Sequence, residues 1–220
     1  ANNDAAIAQL YAVSGVAYDH ILLLGHSMGS FLARNYLIRW PGTLNAAVLS
    51  GTGQEPALKV VGGKALTGLV CRVRGANYHS RMLHSMSVGS YNKAFRPQRT
   101  PSDWISRDEG AVDAFCHDPL CDFIPTCGMF RDMLGGLKVI NRRKNLARMD
   151  GATPVYFMSG GEDPVGARGK AVEYVANRFR EAGCKRVSVK LYPGARHELF
   201  NERNRDEAMN DLLAWLEATL

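Results

Sequence analysis

A chain of 220 residues, 46% hydrophobic and 22% charged, has the apolar content for one sizeable core and too much of it for a disordered segment. The net charge of +6 is spread out; the densest basic run, Arg142, Arg143, Lys144 and Arg148, has no interleaved aromatics and reads as a solvated helix face, so no nucleic-acid partner is expected. No apolar run of about 18 residues is present, which excludes an integral membrane helix from the sequence given.

In chain order, His20–Leu24 (HILLL) is a short apolar run and predicts a buried parallel strand. A helix follows over about Met28–Trp40 and stops at Pro41. Ala46–Ser50 (AAVLS) predicts the next strand. From 54 to 150 no buried strand is legible, and a structureless loop of that length is implausible, so an inserted helical subdomain is expected. Its apolar residues include Leu83, Met86, Tyr91, Phe95, Trp104, Phe115, Phe123, Phe130, Met133, Leu134 and Leu137. Strand character returns at Pro154–Met158 (PVYFM) and Val187–Tyr192 (VSVKLY). Between these lies a helix over about Gly169–Ala182, closed by Gly183, and a last helix covers about Asp206–Leu220. Strand and helix in alternation imply an α/β fold, a parallel sheet covered on both faces.

Gly25-His26-Ser27-Met28-Gly29 follows directly on the first strand and opens a helix. As a bare pattern G-x-S-x-G is weak; between a strand and a helix it describes a sharp turn that strains the serine backbone and presents its hydroxyl. The flanking glycines are expected to be small because strand and helix pass close together. The N–H of Met28, at the new helix N-terminus, is placed to stabilise an oxyanion. The serine needs a base. His26 is expected to point away from the hydroxyl, whereas His197, in the loop after the last strand, lies at the carboxyl edge where sites on such sheets gather. An acid is expected after the third strand, where Glu162 and Asp163 both qualify; Asp163 is preferred because the following Pro164 holds it extended.

The order Ser27, Asp163, His197 is that of the α/β-hydrolases. The segments GHSMGS, SGGEDPVG and YPGARHELFNE resemble the monoacylglycerol lipase and lysophospholipase branch of that superfamily, of serine aminopeptidase S33 type. SYNKAF, RTPSDWISRD and HDPLC are similar to the cap of bacterial lysophospholipases. The resemblance implies a hydrolase core at 1–53 and 151–220 with a helical cap at 54–150. It also implies that Ser27 attacks an acyl carbon, His197 moves the proton, Asp163 orients His197 and Met28 supplies one oxyanion donor. The substrate would be a small-molecule carboxylic ester with a single acyl chain, and transient contact with a lipid surface is compatible with that. An amidase or aminopeptidase on the same triad, and a non-catalytic interaction module, are the alternatives. No cofactor is required. Members of the branch carry further strands and a His-Gly oxyanion loop before the nucleophile strand. Residues 1–16 look like the helix tail preceding that strand, so the chain is expected to be an N-terminally truncated piece, poorly active and aggregation-prone by itself.

The five cysteines, Cys71, Cys116, Cys121, Cys127 and Cys184, are odd in number and scattered, which suits a reducing, cytoplasmic setting. Cys116, His117, Cys121 and Cys127 lack the two-residue spacing of zinc knuckles, and no metal site is expected.

Overall fold

The computed structural model describes residues 20–220, and the helix tail read in residues 1–16 lies outside them. Among the described residues the sheet has four parallel strands in the order β1 (Leu22–His26), β2 (Ala46–Ser50), β3 (Val155–Gly160) and β4 (Val187–Tyr192). β2 and β3 are buried at every position, as central strands of a sheet covered on both sides must be. β1 is the edge strand among these residues, and its Leu22 and Leu24 are exposed.

The period of two sorts the core. Ala47, Leu49, Val155 and Phe157 face one side and pack on Ala33, Leu37 and Ile38 of α1 (Met28–Arg39) and on Val172, Val175 and Phe179 of α8 (Lys170–Glu181). Phe157 meets Phe179 edge to face at 5.3 Å. Val48, Tyr156 and Met158 face the other side, against Leu199 and Ala208, with Leu212 and Trp215 of α9 (Arg205–Glu217) at the rim.

Two strands differ in extent from the sequence reading. β1 leaves out His20 and Ile21 and runs on through Gly25 and His26, and β3 leaves out Pro154 and continues to Gly160. Backbone pairing sets these ends: Gly25 pairs with Leu49, His26 with Ser50 and Gly160 with Tyr192, so the ladder outlasts the apolar run.

Between β2 and β3 the chain is helical: α2 (Ala57–Arg74), α3 (Arg81–Met86), α4 (Val88–Tyr91), α5 (Glu109–His117), α6 (Cys127–Ile140) and α7 (Arg143–Leu146). The hydroxyl of Ser80, the carboxylate of Asp108 and the hydroxyl of Thr126 cap α3, α5 and α6 by accepting from Leu83, Ala111 and Met129. α2 lies along α6, and α6 also packs on α1. Arg34 of α1 is fully buried at this junction. Its Nη1 donates to the Gly53 carbonyl (2.9 Å), just after β2, and its Nη2 to Asn141 Oδ1 (2.7 Å), just after α6. Burial pulls the guanidinium down to about 9. No helix among the described residues is long and apolar enough to cross a membrane.

Phe157 is the residue on which the first core layer converges. Phe157→Ala is expected to remove about 3–5 kcal/mol of stability, read from the urea midpoint; a loss below about 1 kcal/mol would contradict this packing.

Candidate active site

β1 ends at His26 and α1 begins at Met28, leaving Ser27 alone at the turn with φ 52° and ψ −120°. A non-glycine residue at positive φ is strained by about 1–3 kcal/mol and persists only where its surroundings hold it. Here the Ser27 N–H donates to the Ser50 carbonyl at 2.9 Å, and the Ser27 carbonyl accepts from Ser30 Oγ at 2.6 Å. Of the two flanking glycines, one carries the steric requirement. A Cβ on Gly25 would lie 2.4 Å from the Gly29 carbonyl oxygen, whereas a Cβ on Gly29 would meet nothing within 4 Å. The expectation that both must be tiny therefore holds for Gly25 alone.

His197 lies in the loop after β4 and Asp163 in the loop after β3, both almost wholly buried. His197 Nδ1 and Asp163 Oδ2 are 3.0 Å apart. Asp163 also accepts from the Val165 N–H (2.9 Å) and from Ser159 Oγ (3.3 Å). Asp163 Oδ2, which accepts from Ser159 Oγ, faces His197 Nδ1, and this contact assigns the tautomer with the proton on Nδ1 and the lone pair on Nε2. Nε2 is buried with no hydrogen-bond partner among the described residues, so the imidazole and the Ser27 hydroxyl are not hydrogen-bonded to each other. Glu162, the alternative acid, turns outward to Arg168 at 3.2 Å and is about half exposed, with 46% of its side chain accessible.

His26 lies beside the imidazole of His197. Its ring packs on that of His197 at 4.7 Å, and its Nδ1 is 3.2 Å from Ser50 Oγ. Burial pulls His26 down to about 4, His197 lowers it further and Asp163 opposes the shift. Trp104 contacts His197 as well, at 4.9 Å. Gly51, just after β2 at φ 57°, makes room for both imidazoles; a Cβ there would be 2.9 Å from His197 Cε1.

Ser27 and Met28 open onto a cavity of about 620 Å³. Every apolar residue named above for the helical segment lines it, except Phe95. Phe95 instead lies under the guanidinium of Arg196. Leu83, Phe130 and Leu137 serve both as core and as wall. The Tyr91 phenol is pushed up by burial, with Glu55 and Asp163 adding to the shift. The acidic residues of the lining are both engaged: Glu55 with Lys59 at 2.9 Å, and Asp122 accepting from Ser102 Oγ at 3.0 Å. Among the described residues no three His, Cys, Asp or Glu side chains are grouped to hold a metal. Sequence reasoning missed Trp104 as a neighbour of His197; its one trace there was the SDWISRD motif.

The lowered His26 makes a signed prediction. Between about pH 6.5 and 4 the unfolded chain binds a proton that the folded protein refuses, so stability is full above the unfolded value and falls as pH drops. The loss is expected to reach roughly 3 kcal/mol by pH 4 and to shrink in His26→Asn, as read by urea denaturation across that range.

Residues 3–204 match the serine aminopeptidase S33 family. A monoacylglycerol lipase of Mycolicibacterium smegmatis is 28% identical over 205 residues, 90% of this chain and 62% of that protein. The chain thus spans less than two thirds of that relative's length. The fold superposes on a thermostable carboxyl esterase of Bacillus coagulans in complex with glycerol (TM-score 0.85, 24% identity, 99% of this chain and 70% of that one). It also superposes on a lipase in an open form (TM-score 0.82, 22% identity, 98% and 71%). At these identities the likeness establishes the α/β-hydrolase fold. With a family match that runs from residue 3 to residue 204, the chain belongs to the serine aminopeptidase S33 family of α/β-hydrolases.

Proposed function

We propose that the protein hydrolyses carboxylic esters through an acyl-enzyme, with Ser27 as nucleophile, His197 as proton carrier and Asp163 as the group that orients it. The observation that carries this reading is a strained Ser27 at the mouth of an apolar cavity, beside a buried His197 hydrogen-bonded to Asp163. Ser27 Oγ attacks the acyl carbon while its proton passes to His197 Nε2. The Met28 N–H, which has no acceptor within its own helix, supports the oxyanion. The C–O bond then breaks, and the alcohol leaves with the proton from His197. Water attacks the acyl-enzyme with His197 again as base, freeing the acid and Ser27. The missing Ser27–His197 hydrogen bond fits this sequence, since such bonds are often long before substrate binds and tighten on it.

The substrate we propose is a single-chain acyl ester such as a monoacylglycerol or lysophospholipid, with residues 54–150 as a cap whose apolar wall takes the acyl chain. An aminopeptidase would need a carboxylate for the substrate amine. In the cavity lining, among the described residues, Glu55 is paired with Lys59, which leaves Asp122, bonded by Ser102 Oγ, as the one carboxylate that reading would have to use. The names of the relatives, a monoacylglycerol lipase and a carboxyl esterase, point to the ester. Free thiols at all five cysteines support a reducing, cytoplasmic location.

A fluorophosphonate probe is expected to label the protein and to leave Ser27→Ala unlabelled. Asp163→Asn should lower kcat by about four orders of magnitude with little change in fold. Turnover should favour p-nitrophenyl esters over the matching aminoacyl anilides and rise with acyl length until the cavity is filled. Labelling that survives Ser27→Ala, or a preference for the anilides, would overturn the reading.

A further inference from the structure

We propose that the segment Asp103–Arg107, within the helical excursion, is a positioning device for the His197 imidazole, with Trp104 as the wall against the ring and the Arg107–Glu202 pair as its fastening. The proposal rests on the reading of His197 as the base.

This segment and the stretch Arg196–Glu202 are about 95 residues apart in sequence and tied on both sides of His197. Before it, the Arg196 guanidinium donates to the carbonyls of Asp103 and Ser106, the latter at 2.9 Å. After it, the Glu198 N–H donates to the Ile105 carbonyl at 2.7 Å. The hub is Glu202, 1% exposed. Its Oε1 accepts from the N–H groups of Arg196 (2.8 Å) and Arg107 (3.1 Å). Its Oε2 accepts from Arg107 Nε (2.9 Å) and the Arg203 N–H (3.0 Å). A buried carboxylate is costly unless its lone pairs are met, and this one is met by a cation and three backbone donors.

Such a knot could serve stability alone. The rings argue for more. His197 contacts His26 and Trp104, with ring centroids 4.7 and 4.9 Å away, and makes its Nδ1 bond to Asp163. Two rings against one imidazole narrow its choice of rotamer and aim Nε2. Catalytic groups misplaced by 1 Å lose about 10²-fold in rate. The indole, tilted 37° to the ring, lies against the imidazole that gains a charge in each proton transfer, whereas His26, held down at about 4, stays neutral beside it. Trp104 is itself fixed, its ring by Tyr91 at 5.1 Å and its backbone N–H by donating to Asn92 Oδ1 at 3.0 Å, and it also lines the cavity. The residue that feels the acyl chain thus touches the base.

The test compares Trp104→Leu, Trp104→Phe and Arg107→Ala with the parent. It measures kcat and KM on p-nitrophenyl acetate, the melting temperature, and the downfield proton NMR signal of a His197 Nδ1–H bonded to Asp163. Trp104→Leu and Arg107→Ala are expected to lower kcat about 10- to 100-fold with KM within about threefold, and to broaden or erase the signal. Trp104→Phe, which keeps a ring, should restore most of both. Unchanged kcat and signal in Trp104→Leu and Arg107→Ala would overturn the proposal, as would losses that track melting temperature across all three variants. Should Trp104→Leu not fold, or Arg107→Ala fail because it strips the buried Glu202 of its cation, Trp104→Met, which fills the same space without a ring, carries the test and is expected to show the same losses. A parent whose Ser27 resists the fluorophosphonate sinks the hydrolase reading separately, while the NMR signal still decides whether this segment holds the ring.

Discussion

Where β1 gives way to α1, the Gly25 α-carbon faces the Gly29 carbonyl so closely that a methyl group would stand 2.4 Å from the oxygen. That approach lets the chain turn from strand to helix over one residue and forces Ser27 to positive φ. The strain is about 1–3 kcal/mol. Burying Leu37 and Ile38 on the same helix returns about 1.5–3 kcal/mol each, so the packing of α1 on the sheet dominates and the turn stays bent. A larger residue at position 25 would push α1 away from the strand, and with it the Met28 N–H and the Ser27 hydroxyl.

Parallel strands finish at one rim, and here the loops after all four do so within reach of one another. Ser27 follows β1, Gly51 follows β2, Asp163 follows β3 and His197 follows β4. Gly51 leaves room for two imidazoles, and the field around them differs for each. His197 has a carboxylate at Nδ1. His26 has a serine hydroxyl near its Nδ1, and burial pulls it down to about 4.

Ala46–Ser50 and Val187–Tyr192 stand in the fold as the sequence suggested, because in those strands the apolar run and the hydrogen-bonded ladder have the same length. β1 and β3 run past their apolar runs, since Gly25 and Gly160 pair through the backbone, which composition does not register. Residues that follow strands are legible because chain order alone puts them on the rim; Ser27, Asp163 and His197 are of this kind. Trp104, Glu202 and Arg34 are not. Their places depend on contacts between segments distant in sequence, and for Arg34 a charge on a helix ordinarily signals solvent rather than a sealed interior. The helices of the excursion are fixed by caps and by mutual packing of α2 on α6, which a sheet-like pattern cannot announce.

Arg34 has a mechanical corollary. One guanidinium grips the backbone at Gly53, where the chain leaves the sheet, and the side chain at Asn141, near where it returns. The two feet of the helical arch are thereby bolted to α1. Swinging the arch as a whole would mean breaking both bonds of a cation sealed from water. The crown is built differently: around α3 and the Leu120–Phe123 stretch, Met86, Leu120 and Phe123 face solvent.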